Sequence, residues 1–144
     1  MATVKQSNWR DQMKDMFGSV PTWANDIPQS AVDGFWAMMR DFQLAETRIP
    51  NKYKELIGLG VSGATRCRYC ALFHTEAAKL FGATDEEIAE ASMMAALTMA
   101  GSTFLNAQQV DYDTFRRETL DAVAYARAHA PATAPSDSRT SAHA

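Results

Sequence analysis

Between Phe81 and Ile88 the sequence closes one helix and opens another. Phe81-Gly82 supplies a glycine for the left-handed position just past a helix end. Thr84-Asp85-Glu86-Glu87 follows at once. Thr84 suits the N-cap, Glu87 completes a capping box, and the three acids favour the positive end of the helix they begin. Helices on both sides of this joint are therefore expected, and the apolar periodicity of the flanking segments agrees.

Upstream, Trp9, Met13, Met16 and Phe17 recur at helical spacing over Asn8 to Phe17 and stop at Gly18. A loop with Pro21, Asn25, Asp26 and Pro28 follows, and its Trp23 is expected to pack onto the domain. A second helix is predicted from Ser30, as N-cap, to Ala45, with Val32, Phe35, Trp36, Met39, Phe42 and Leu44 on one broad face. Pro50 suits the first turn of a third helix over Asn51 to Leu59, with Tyr53, Leu56, Ile57 and Leu59 facing inward. Gly60 and Gly63 are expected to end or bend it. The fourth helix should run from near Arg66 to Phe81. The fifth passes through Ile88, Ala91, Met94 and Leu97 to Phe104 or beyond, and is apolar nearly all round after Ala91, which implies deep burial or a subunit interface. The last spans Tyr112 to about Ala130, with Phe115, Leu120, Val123, Ala124 and Ala128 on one side. No run alternates long enough for a strand. The expected fold class is all-α: a single-domain bundle of about six helices over residues 1–130, followed by a disordered tail, 131–144, of Pro, Ala, Ser and Thr.

Composition excludes some partners. The net charge of −3 leaves no basic footprint, which argues against nucleic acid and acidic membranes. The stretch Ala91 to Ala107, interrupted by Ser92, Thr98, Gly101, Ser102 and Thr103, reads as too short and too mixed to cross a membrane. The first residues contain no apolar run, so the expected location is the cytoplasm. Two nearby cysteines in such a chain point to redox or metal chemistry rather than a secreted disulfide framework.

Those cysteines lie in Arg66-Cys67-Arg68-Tyr69-Cys70-Ala71-Leu72-Phe73-His74. On a helix, the steps of three and four place Cys67, Cys70 and His74 on one face. A helix N-terminus favours the thiolate, and Arg66 and Arg68 add positive potential. A thiolate that attacks a peroxide becomes a sulfenic acid, which a neighbouring thiol condenses to a disulfide. His74, one turn below Cys70, is placed to relay a proton. A structural zinc site needs four ligands and the segment supplies three, so a zinc-stabilised helical binding module is the weaker alternative. A thioredoxin-type domain needs a βαβ pattern that is not present.

Lys54-Glu55-Leu56-Ile57, then Cys67-x-x-Cys70-x-x-x-His74, then Gly82-Ala83-Thr84-Asp85-Glu86-Glu87-Ile88 resembles the carboxymuconolactone decarboxylase superfamily, and within it the alkylhydroperoxidase D-like branch. The match covers about Pro50 to Leu97. The resemblance implies an all-α fold and a thiol-dependent peroxidase or disulfide oxidoreductase acting on hydroperoxides. It assigns Cys70 as the peroxidatic cysteine, Cys67 as the partner that closes the disulfide, and Glu55 and His74 as proton-relay residues. Without the motif, Glu55 beside Lys52 and Lys54 would read as a solvated acid. The best-known peroxidase of the branch has a histidine where this chain has Tyr69, and a phenol is a poorer relay near neutral pH. The decarboxylase branch lacks the cysteine pair, so lactone decarboxylation is not expected. The resemblance further implies an unidentified thiol or disulfide-reductase electron donor, no cofactor or metal, and a homo-oligomer, trimer or hexamer, with Met93 to Phe104 as a candidate interface. A same-fold enzyme acting on another small molecule, with regulatory thiols, is the remaining alternative.

Overall fold

The computed structural model describes residues 8–130; the expected tail, 131–144, lies outside them. The described residues contain six α-helices and no strand: α1 Trp9–Phe17, α2 Gln29–Met38, α3 Asn51–Thr65, α4 Arg68–Leu80, α5 Asp85–Ala107 and α6 Tyr112–His129. The all-α class and helix number match the sequence reading. The chain forms two compact units, one through Met99 and one from Ala100, which divide inside α5.

The core of the first unit is small. Trp9 and Met13 of α1, Ala24 of the short turn Thr22–Asp26, and Val32 and Trp36 of α2 are buried together, with Phe17 edge-on to Trp36 at 5.7 Å between ring centroids. The Trp36 indole N–H donates to Gln12 Oε1 at 2.7 Å, so its polar edge is satisfied inside the cluster. Asn8 caps α1 by accepting from the N–H groups of Arg10 and Asp11. Trp23 meets Phe35 edge-on but stays about half exposed.

Several boundaries differ from the expectations. Ser30 is not the N-cap of α2. Pro28 occupies that position, its carbonyl accepting from Ala31 and Val32, because its restricted φ already sets the approach to the helix. The α-helix stops at Met38 and continues as a π-helical turn, Met39–Gln43, rather than running to Ala45. Phe42, expected on the same face as Val32 and Trp36, is exposed.

Helix α3 passes straight through Gly60 and Gly63. It ends at Arg66, which adopts a left-handed backbone (φ 58°), with Cys67 N–H donating to Ser62 C=O and Arg66 N–H to Gly63 C=O. The same pattern closes α4 at Gly82 and α5 at Gln109. A Cβ at Gly60 would make only an ordinary van der Waals contact, 3.6 Å, with Ala95 of α5, so the space there does not require a glycine. The buried residues of α3 are Asn51, Glu55, Leu59 and Ser62, whereas Tyr53 and Ile57, expected inward, are exposed. Polar residues face inward because each of these three finds a partner: Leu44 C=O for Asn51, His74 for Glu55 and Gly58 C=O for Ser62.

No residue of α5 is buried, so the expectation of deep burial fails within the chain, and Met93, Met94, Leu97 and Phe104 are exposed. Helix α5 begins at Asp85, as its start signal implies, and its 23 residues together are, by length and composition alone, enough to cross a membrane, although the apolar stretch Ala91 to Ala107 by itself reads as too short. In the second unit, Asp111 caps α6 by accepting from the Thr114 N–H at 2.8 Å.

The capping box forms as read: Glu87 N–H donates to Thr84 Oγ1 and Thr84 N–H to Glu87 Oε2. Lys52 of α3 donates to the other Glu87 oxygen at 2.8 Å. The Lys52 hydrogen bond first, then the Thr84 N–H, hold the Glu87 carboxyl below its ordinary range. A depressed carboxyl pKa stabilises the fold above the unfolded value, about 4.3, and that stability is lost as pH falls through the lower folded value. Glu87→Gln should therefore lower the melting temperature at pH 7, and the difference from wild type should vanish once the pH is below the folded value. Melting curves from pH 7 down to pH 2 check this; an equal difference at every pH would show that charge is not involved.

Candidate redox site

The left-handed turn at Arg66 reverses the chain within two residues and makes Cys67 both the end of the α3 closure and the N-cap of α4. Its sulfur accepts from the Cys70 N–H at 3.2 Å. Cys67 and Cys70 are joined by a disulfide, with 5.4 Å between their Cα atoms. A step of three in the first turn of a helix brings the two sulfurs together without disturbing α4. Cys67 is partly buried and Cys70 exposed.

One turn further along α4, His74 points back to α3. Its Nδ1 lies 2.6 Å from Oε2 of Glu55, a residue with 0% exposure. A carboxylate only accepts, so with Glu55 ionised Nδ1 carries the proton and Nε2 is left as the free nitrogen of the ring. The other carboxylate oxygen, Oε1, has no hydrogen-bond partner among the described residues. A buried carboxylate with one oxygen bonded is costly to hold, and its single partner fixes where the imidazole sits.

Gly58 makes room for that imidazole. A Cβ at position 58 would fall 2.4 Å from His74 Cε1 and 2.6 Å from each ring nitrogen. Sequence reasoning missed this residue. Gly58 lies three positions after Glu55, on the same face of α3, and the signal was available once Glu55 and His74 were paired.

Cys70 and His74 share the wall of a pocket of about 790 Å³. Trp23, Phe35, Met38, Met39, Phe42 and Phe73 supply most of the remaining lining, so its surface is overwhelmingly apolar. Tyr69 stands at the same pocket, largely exposed, with its hydroxyl accepting from Arg68. The four residues named from the motif thus converge in two steps: Cys67 with Cys70, and Glu55 with His74. Among the described residues no cluster of three or more His, Cys, Asp or Glu side chains is arranged to hold a metal.

The carboxymuconolactone decarboxylase family matches residues 31–111, more than half of the sequence. The chain belongs to that family. Its fold places it with the alkylhydroperoxidase D-like members. It superposes on the alkylhydroperoxidase AhpD core from Rhodospirillum rubrum with a TM-score of 0.65 and 25% identity, over 79% of this chain and 96% of that one. A second solved structure, from Methanobacterium thermoautotrophicum, aligns with a TM-score of 0.53 and 32% identity, covering 61% of this chain and 97% of the other. Among curated proteins, "Uncharacterized protein 4 in cox locus" of Paracoccus denitrificans is 29% identical over 80 residues, 56% of this chain and 72% of that protein. The family match begins at residue 31, so Trp23 in the pocket wall lies upstream of it.

Gly58→Ala tests the fit of His74. Helix propensity alone favours Ala over Gly by roughly 1 kcal/mol. Overpacking against a ring held from behind costs about 1–3 kcal/mol, so the net change should be destabilising. The imidazole NMR signals of His74 should shift in Gly58→Ala. A variant more stable than wild type with unchanged His74 signals would show the ring is not confined.

Proposed function

We propose that this chain is a thiol-dependent peroxidase that reduces hydroperoxides through the Cys67–Cys70 pair. The observation that carries this reading is a disulfide at the start of α4, with Cys70 on the same pocket wall as His74 and a buried Glu55 behind the imidazole. Membership of the family, and the likeness to an alkylhydroperoxidase core, support it.

In the reduced protein the Cys70 thiolate attacks the terminal oxygen of R–O–O–H. The S–O bond forms as the O–O bond breaks, and the departing alkoxide takes a proton to leave as R–OH. His74 delivers that proton or relays it, and Glu55 holds the ring in the orientation that permits it. The Cys67 thiolate then attacks the Cys70 sulfur. The S–S bond forms, the S–O bond breaks, and hydroxide leaves as water after protonation. Two thiols supply two electrons to one peroxide, and an external dithiol donor restores them by exchange at the disulfide. The exposure of Cys70 suits both the approach of the peroxide and that of the donor. This reading carries the cytoplasmic location and the homo-oligomer, trimer or hexamer, with the uncovered apolar residues of α5 as the contact surface.

Stopped-flow oxidation of the reduced protein should consume two thiols per peroxide and yield one disulfide. Cys70→Ser should abolish the reaction, and Cys67→Ser should stop it at a sulfenic acid that dimedone traps. His74→Asn should slow it roughly 10²–10⁴-fold, the usual contribution of a positioned proton-transfer group. Oxidation of Cys70→Ser at the wild-type rate would remove the assignment. For the assembly, light scattering after size exclusion should return a trimer or hexamer mass; a monomer would discard the α5 interface.

A further inference from the structure

The pocket beside Cys70 has a wall whose position is set from α3. The π-helical turn Met39–Gln43 brings Met39 and Phe42 to the pocket, and the carbonyls at its C-terminal end are exposed to whatever follows. Lys54 of α3 takes them. Its ammonium donates to Phe42 C=O at 2.8 Å, to Ala45 C=O at 2.6 Å and to Asn51 Oδ1 at 3.2 Å. The amide of Asn51, itself buried, donates to the neighbouring Leu44 C=O at 2.8 Å. All three donors of the ammonium are used, and a cation at a helical C-terminus is favoured by the partial negative charge there. Lys54 Nζ also lies 5.6 Å from the centre of the Phe42 ring.

Met39 also packs against the core cluster, but most of the apolar side chains around this wall stay well exposed. Phe42 and Met38 are about two-thirds exposed, and Trp23 and Phe35 nearly half, yet all four face one pocket. Apolar groups gathered in this way on a chain with a small core mark a binding surface rather than chance exposure. The pocket volume is in the range that receives a small organic molecule.

We propose that the Met39–Gln43 turn, latched to α3 by Lys54, is the specificity-determining wall of this site, and that it selects hydroperoxides by the size of an apolar, preferably aromatic, body. Lys54 is a positioning residue, since it touches the turn and not the reacting atoms. The inference rests on the peroxidase reading and deepens it. The chemistry is unchanged: the O–O bond is cleaved at Cys70 and the alcohol leaves. The wall determines which R group lies over Phe42 and Phe35 while that happens.

Second-order rate constants for oxidation of the reduced full chain by hydrogen peroxide, tert-butyl hydroperoxide and cumene hydroperoxide test this. Wild type should rank them in that ascending order. Phe42→Ala and Lys54→Met should each lower the ratio of the cumene to the hydrogen peroxide rate constant by roughly tenfold or more, the scale on which pocket contacts discriminate. In Lys54→Met the loss should appear as a raised KM for cumene hydroperoxide, with Lys54→Arg recovering part of the ratio. Because every peroxide meets the same cysteine, a general defect in folding or in Glu55 would lower all rates and leave the ratio alone, and that outcome overturns the assignment of Lys54. Phe42 is mostly exposed, so Phe42→Ala tests the wall with the latch intact. If the three peroxides react equally in wild type, or the ratio stays fixed in Phe42→Ala, the selectivity inference falls and the peroxidase reading stands. If none of them consumes thiols, both fall.

Discussion

A carboxylate shut off from water holds the two helices of the site in register. Glu55 would be costly to bury alone, and one 2.6 Å contact with His74 is the side-chain hydrogen bond it makes. Without His74 the Glu55 carboxyl would be left buried with no hydrogen bond among the described residues, which is more costly than losing an exposed pair. The pairing of α3 with α4 therefore has a polar centre, whereas the cluster of Trp9, Met13, Val32 and Trp36 is apolar and lies between α1 and α2. Gly58 follows from the same contact, because an imidazole can reach Glu55 only where α3 has no side chain in the way.

From that contact the roles of the remaining residues can be ordered. The left-handed turn at Arg66 aims α4 back along α3, and Cys67 caps the new helix with its own sulfur. The disulfide thus closes at the first turn of α4, and His74 sits one turn further along the same helix. The disulfide and His74 share one helix, while most of the pocket wall comes from α2 and the turn after it.

Much of this was legible in the sequence, and the misses have physical causes. The Gly82–Thr84–Glu87 joint was readable because glycine and a capping box announce themselves chemically. Arg66 and Gln109 close helices in the same left-handed conformation, but nothing in an arginine or glutamine signals it, so the end of α3 was assigned to the visible glycines instead. The inward face of α3 was misjudged because periodicity counts apolar residues, and this helix buries Asn51 and Glu55 through partners from elsewhere in the chain and Ser62 through the Gly58 carbonyl one turn back. Glu55 was found only through the motif. Gly58 and Lys54 were not found at all, since each acts on a residue many positions away.

Lys54 and Glu55 are consecutive in α3, and successive side chains on a helix diverge by about 100°. One holds the Met39–Gln43 turn of the pocket wall; the other holds the imidazole of His74. Both are therefore measured from the same two residues of backbone. A displacement of α3, by thermal motion or by a change in what packs behind it, carries the two reference points together and leaves the interval between them nearly constant. The helix works as a ruler whose marks are neighbouring side chains, and the calibration of the site survives movement of the instrument.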